Sequence, residues 1–125
     1  MAISSAIFDS SVLSYKIVKQ TITNATPNID VTTEPGNLHE ISIINGSSSN
    51  AYVKFTLTES AVTVGTTVPQ IVLRVNSATS RRWSIPAGLA FTKLSFWAVT
   101  GSPDSNTTSP TLSNSAGVTV SVVTS

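Results

Sequence analysis

The sequence has no cysteine and only one histidine, His39. Without thiols it can form neither a disulfide framework nor a thiolate metal site, and one imidazole leaves too few ligands for a transition metal. A Ser-His-Asp or Cys-His centre would have to use His39, which lies in a β-like alternation, and the chain has no G-x-S-x-G motif. We therefore expect no metal, no cofactor and no enzymatic activity.

Charged residues are scarce, at 10% of the 125 residues, and the net charge is only +1. Globular proteins carry about 25% charged residues. No basic stripe is present, so we expect no nucleic-acid partner. The acidic residues are scattered, and no pattern indicates that Glu40 and Glu59 face each other as a glycosidase pair. The sequence predicts a surface that is polar but mostly uncharged.

Long apolar runs are also missing. No stretch approaches the ~20 apolar residues of a spanning helix, so we expect no membrane segment. The first eleven residues lack a basic region and a long apolar core, and Asp9 interrupts them, which argues against a secretory signal. Ile7 and Phe8 stand out in this Ser-rich stretch. Residues 1–11 are either a frayed terminus or an arm whose Ile7 and Phe8 dock on a partner.

Serine, threonine and alternating apolar residues are abundant instead. Ser and Thr make up roughly a third of the chain, and they suit strands, exposed strand faces and turns. Alternation predicts strands over residues 12–23, 28–33, 38–45, 51–59, 70–76, 81–85, 91–100 and 117–123. Seven or eight strands without a helical period predict one all-β domain over residues 12–125. The expected fold is an antiparallel β-sandwich, with a jelly roll as one candidate topology.

Two strands show the alternation most clearly. In residues 51–59 the side that carries Phe55 is apolar, and we expect it to face the core, with Lys54 on the opposite side. In residues 38–45 the alternation places His39 and Ile41 on one side, which assigns Leu38 to the other side.

Residues 83–99, with the sequence W-S-I-P-A-G-L-A-F-T-K-L-S-F-W-A-V, are the stretch around which the fold is predicted to form. They read as a strand, a corner at Pro86-Ala87-Gly88 and a second strand that is apolar on both faces. A strand of this kind must be covered on both faces. The core covers the face of Phe96. The face of Trp97 is covered either by a loop of the same chain or by a neighbouring molecule.

The segment Arg81-Arg82-Trp83 is the only local cluster of charge. It is either a solvated turn with Trp83 packed inward or an interface anchor, because Arg and Trp are enriched in binding hot spots. Trp97 has two matching interpretations. It is buried under a loop of the same chain, or it forms a subunit contact.

Several short motifs resemble a known family. The sequences Y-V-K-F at residues 52–55, V-G-T at 64–66 followed by Pro69, I-P-A-G-L-A-F at 85–91 and L-S-F at 94–96 resemble a recurrent pattern in small virion proteins of tailed bacteriophages. The likeness is in particular to head decoration, or cement, proteins, and it covers about half the chain. The Arg-Arg-Trp segment departs from the small, neutral residues expected before the Pro-Ala-Gly corner.

This resemblance implies a non-enzymatic, structural role. Such a protein lies on the outer capsid surface of the virion, binds the major capsid protein, bridges neighbouring capsid subunits and often forms a homotrimer. The candidate subunit or capsid contacts are Ile7, Phe8, Arg81, Arg82, Trp83 and Trp97.

The second hypothesis is a carbohydrate- or receptor-binding module of a phage tail or a cell surface. In that case Tyr52, Trp83 or Trp97 would form a stacking platform beside the long polar loop of residues 101–116. The isolated domain would then bind glycans measurably and lose that binding when one of these aromatic residues is removed.

Overall fold

The computed structural model describes residues 15–125, which form seven strands. They are β1 (Lys16–Ile22), β2 (Gly36–Asn45), β3 (Ala51–Thr56), β4 (Ile71–Val75), β5 (Thr79–Phe91), β6 (Ser95–Val99) and β7 (Val118–Thr124). All pairings between these strands are antiparallel, and they form two sheets. The predicted all-β, antiparallel sandwich is therefore confirmed. Nothing in residues 15–125 forms a helix with the length and apolar character needed to cross a membrane.

The two sheets have the strand orders β1-β7-β2-β5 and β4-β3-β6. Beyond β6, Asn28 pairs with Phe96 through two backbone hydrogen bonds of 2.8 and 3.0 Å. Counting this segment, each layer has four members, which is the arrangement of an eight-stranded jelly roll with one strand reduced to a bridge. The strand predicted over residues 28–33 is wrong, because Asp30 and Thr33 have φ angles of 44° and 61° and turn the chain.

The core lies between the sheets and is filled by inward-facing residues of both. The residues that are at most 4% exposed include Leu38, Ile41, Ile43, Val53, Phe55, Val75, Phe91, Leu94, Phe96, Val118, Val120 and Val122. Phe55 on β3 lies opposite Phe96 on β6, with their ring centroids 5.4 Å apart. Burying each such side chain contributes about 2 kcal/mol before the entropy cost of ordering it.

A bulge at His39 changes the faces predicted for β2. The pairing with β5 passes from Leu38 opposite Leu89 to Glu40 opposite Ser84, so His39 lies between the regular pairs. The extra residue shifts the alternation by one position. Leu38 therefore faces the core together with Ile41, and the prediction that the two residues lie on opposite sides of the strand is wrong.

The Pro86-Ala87-Gly88 motif lies in the same irregularity, where residues 85–88 of β5 stand opposite His39. Strand β5 continues through the motif to Phe91, so the prediction of a corner between two strands is wrong. Gly88 has a φ of 78°, which glycine adopts without strain. A Cβ atom at this position would lie 2.9 Å from Cε1 of His39. The motif bends one strand instead of joining two.

Strand β6 is buried on both faces, as its composition predicts. Phe96 and Ala98 of β6 face the core, and the side chains that alternate with them lie on the outer face of the sandwich. Loops of the same chain cover this outer face. The Lys54 ammonium donates to the Pro103 carbonyl oxygen at 2.7 Å, and the Ser95 hydroxyl donates to the Glu59 carbonyl oxygen at 2.8 Å.

Candidate partner-binding surface

Strand β5 is an edge of the four-stranded sheet. It pairs with β2 on one side and with no other strand of residues 15–125 on the other. In its first half, residues 79–84, only Trp83 is partly buried and the other residues are exposed. Open strand edges present unpaired backbone groups to which another chain can bind. The predicted contact residues Arg81, Arg82 and Trp83 all lie in this half of β5.

Trp83 points towards the core side of its sheet, opposite the buried Ile41. It is only half-buried, because it lies at the edge of the sandwich. The Arg81 guanidinium lies over its ring, 5.1 Å from the centroid. This contact holds the cation in place by a cation–π interaction while leaving it exposed to solvent. The pair therefore presents an ordered, positively charged and partly apolar surface.

Arg82 lies on the opposite face of β5. Its Nε atom is 3.4 Å from Oε1 of Glu40, and 68% of its side chain is exposed. An ion pair this exposed contributes only about 0–1 kcal/mol. The guanidinium therefore stays accessible to a partner at little energetic cost, and Arg81 and Arg82 flank the edge on its two faces.

The open part of the edge is short. Beyond Ser84 the strand bends at the Pro86-Gly88 bulge, and proline provides no backbone donor. Bulges and prolines commonly protect strand edges from uncontrolled pairing. Only the straight first half of β5, next to Arg81 and Trp83, remains suited to a flat contact.

Trp97 lies elsewhere and is only 1% exposed in the single chain. It is opposite Lys54 on the outer face of the three-stranded sheet, and the 101–116 loop crosses this face where Pro103 contacts Lys54. Its position matches burial under a loop of the same chain. A subunit or capsid contact at Trp97 stays a prediction, and in the single chain its side chain has almost no exposed surface for a partner.

Lys54 lies on the side of β3 that faces away from the core, as the alternation predicts, but its side chain is nevertheless buried. It is 1% exposed and lies beneath the 101–116 loop, where it bonds to Pro103. Burial lowers the pKa of the Lys54 ammonium, and the nearby carboxylate of Asp104 partly opposes that shift. Lys54 thus ties the loop to the sheet.

We expect the stability contribution of Lys54 to depend on pH. Between its lowered pKa in the folded chain and the ordinary value of 10.5, the unfolded state binds more protons, so stability rises with pH. The free energy of unfolding of the wild type should therefore rise relative to Lys54→Met from neutral pH towards 10.5. Urea unfolding across this range measures the difference. Lys19→Met, at an exposed position, is the matched control, and a pH-independent gap between wild type and Lys54→Met would contradict the prediction.

The three aromatic residues named as candidates for a stacking platform lie in different environments. Tyr52 is on the outer face of β3, with the Arg74 guanidinium 6.0 Å from its ring centroid. Trp83 is on the edge of the other sheet and Trp97 is buried. Stacking of a sugar on Tyr52 or Trp83 stays a prediction, whereas Trp97 has almost no exposed ring surface.

Ile7 and Phe8 lie outside the described residues, and their assignment stays a prediction. Within residues 15–125 no group of three or more His, Asp or Glu residues is placed to hold a metal ion. The structure adds Glu40 to the candidate surface, through its contact with Arg82. The only sequence signal for the Arg82–Glu40 contact is that the two residues have opposite charges and lie in predicted strands of the same domain.

Comparison with known proteins found no matching family model and no matching curated protein. Among solved structures, the chain is similar to a Bacillus endospore appendage protein from a family of disulfide-linked pili, with 12% identity over 88% of this chain and 82% of that chain and a TM-score of 0.40. It is also similar to the coat protein of Tobacco streak virus, with 10% identity over 86% and 85% of the two chains and a TM-score of 0.34. At these values neither likeness identifies a family or a function.

Proposed function

We propose that this chain is a structural protein of a virus particle, which binds the outer surface of a phage capsid and stabilises it by bridging major capsid protein subunits. The observation that carries the proposal is the open edge of β5, where Arg81, Arg82 and Trp83 lie together. The resemblance of residues 52–55, 85–91 and 94–96 to head decoration proteins supports the same role.

The way the sandwich is covered suits a protein that is added to a preformed shell. Both faces of β6 are buried within the chain, so the domain needs no partner to complete its core. The absence of cysteine means that no disulfide has to form or survive outside a cell. Each contact at the β5 edge is small, and many copies on one shell add up through multivalency. The finer form of the proposal is a homotrimer that uses this edge against the capsid.

Arg81→Ser and Trp83→Ser are each expected to weaken binding to purified, expanded capsids by about 10-fold or more, because hot-spot residues of these types contribute over 1 kcal/mol. Co-sedimentation of the chain with capsids, titrated over chain concentration, measures the change. The matched control is Arg74→Ser, which also removes a guanidinium that lies over an aromatic ring, but on the other sheet.

Two results would contradict the proposal. If the wild-type chain stays in the supernatant, it does not bind capsids and the proposed role is wrong. If Arg81→Ser binds as tightly as Arg74→Ser, the β5 edge is not the contact. Sedimentation equilibrium of the wild type tests the trimer separately. Three times the chain mass of 13.1 kDa is expected, and the mass of one chain would contradict self-association in solution.

A further inference from the structure

A cleft of about 380 Å³ lies at the end of the sandwich where β1 and β2 begin and β7 ends. It is lined by Tyr15, Lys16, Thr32, Glu34, Pro35, Phe91, Thr124 and Ser125. Its size falls in the range of about 300–1,000 Å³ that is typical of small-molecule sites. Phe91 is the last residue of β5, whereas Arg81 lies near the other end of that strand. The cleft is therefore separate from the candidate partner-binding surface.

The polar groups of the cleft are held in place by the chain itself. The Lys16 ammonium donates to the Thr32 carbonyl oxygen at 2.9 Å, and the Thr32 hydroxyl donates to the Glu34 carbonyl oxygen at 2.7 Å. One hydrogen bond leaves two further donors on the ammonium of Lys16. Within residues 15–125 the Glu34 carboxylate has no ion pair within 4.0 Å. The cleft thus offers ordered donors and a free carboxylate acceptor.

One aromatic side chain stands at the mouth of this cleft. Tyr15 is 41% exposed, and its ring packs edge-to-face against His39, with the centroids 5.2 Å apart. His39 is in turn fixed by a 2.8 Å hydrogen bond between its Nε2 and the Ser125 hydroxyl. The ring is therefore held in position while much of it remains in contact with solvent. Phe91, which is almost fully buried, forms part of the apolar floor.

We propose that this cleft binds a neutral saccharide of one or two units. The side chains that line the cleft include one cation, Lys16, and one carboxylate, Glu34, so they favour neither an anionic nor a cationic ligand. Hydroxyl-rich ligands need both donors and acceptors, which the Lys16 ammonium and the Glu34 carboxylate supply. A sugar ring also has an apolar C–H face, which can pack on the exposed ring of Tyr15. This site is different from the stacking platform at Tyr52, Trp83 or Trp97 that the sequence suggested, and it does not depend on capsid binding.

The test is a titration of the isotope-labelled full chain with glucose, N-acetylglucosamine, cellobiose and chitobiose, followed by amide chemical shifts. We expect at least one of these sugars to bind with a Kd of about 1 mM, a usual value for a small polar site. The shifts should be confined to residues that line the cleft, such as Lys16, Thr32, Glu34 and Thr124. Tyr15→Ala and Glu34→Gln should each raise that Kd by about 10-fold.

Tyr52→Ala is the matched control, because it removes a tyrosine from the other sheet and should leave sugar affinity unchanged. Thermal unfolding of each variant confirms that it is folded. The proposal is overturned if none of the four sugars shifts these amides, if the shifts lie outside the cleft, or if folded Tyr15→Ala binds as tightly as the wild type. Capsid co-sedimentation of Tyr15→Ala separates the two proposals, because the variant should still bind capsids if the β5 edge is the contact.

Discussion

Replacement of Trp97 by alanine is expected to lower the free energy of unfolding by about 3–5 kcal/mol, the usual cost of deleting a fully buried Trp side chain. The reason is that the side chain is only 1% exposed, between the outer face of β3 and β6 and the chain's own covering loops. Small domains have a total stability of about 5–15 kcal/mol, so this variant will be close to unfolding. Urea unfolding followed by circular dichroism measures the change.

The same variant distinguishes burial from assembly. If Trp97 serves only the fold, the molecules that remain folded keep the wild-type mass in sedimentation equilibrium. Ile44→Ala is the control, because Ile44 is 54% exposed and its truncation should change stability by no more than about 0.5 kcal/mol. A Trp97→Ala chain with wild-type stability and a reduced mass would show that Trp97 acts between subunits, contrary to its burial in the single chain.

Phe55→Ala is expected to be about as damaging, at about 3–5 kcal/mol. Phe55 is fully buried on the central strand of its sheet, and it contacts Phe96 on the neighbouring strand. Truncation leaves a cavity that neither β4 nor β6 can fill, because each is held to β3 by a ladder of consecutive pairs. Thermal and urea unfolding measure the loss.

Phe55→Leu provides the graded control, since it keeps most of the apolar volume and should cost clearly less than Phe55→Ala. Equal losses for the two substitutions would indicate that the aromatic contact with Phe96 matters more than the volume. A loss below about 1 kcal/mol for Phe55→Ala would show that the core relaxes around the cavity.

The sandwich was predictable because apolar residues alternate with a period of two in strands such as β3 and β7. In β7, Val118, Val120 and Val122 are all fully buried, and in β3 Val53 and Phe55 face the core as the alternation predicts. The period fails at His39, since counting positions assumes one residue opposite one residue. The bulge in β2 breaks that assumption, and no residue type near His39 signals it.

Turn signals were misleading for a related reason. Pro86 and Gly88 are typical of a chain reversal, but the same properties, a missing donor and a positive φ, also suit a bulge at a sheet edge. The sequence therefore predicted an interruption at the right place and the wrong kind of structure. At residues 28–33, where a strand was predicted, only the Asn28 bridge to Phe96 forms.

For the candidate surface, Arg81, Arg82 and Trp83 could be predicted to lie together because they are consecutive in the sequence. Their location on an open edge depends on strand order, which alternation does not specify. The burial of Lys54 and Trp97 could not be settled from the sequence either, because it depends on which loops cover the outer face of the sheet. The polar 101–116 loop has no periodic pattern from which its path over Lys54 could be read.

The strand order also has a consequence for biosynthesis. Strand β7, the seventh in sequence order, lies between β1 and β2. Both of these strands are therefore synthesised well before the strand with which they pair. Until residues 118–124 emerge, β1 has no partner strand within residues 15–125, and β2 has only β5. Pairings that span most of the chain are slow to form and expose unpaired strands in the meantime. The four-stranded sheet therefore cannot be completed before residues 118–124 have been synthesised, and a chain terminated before them lacks the strand that joins β1 to β2.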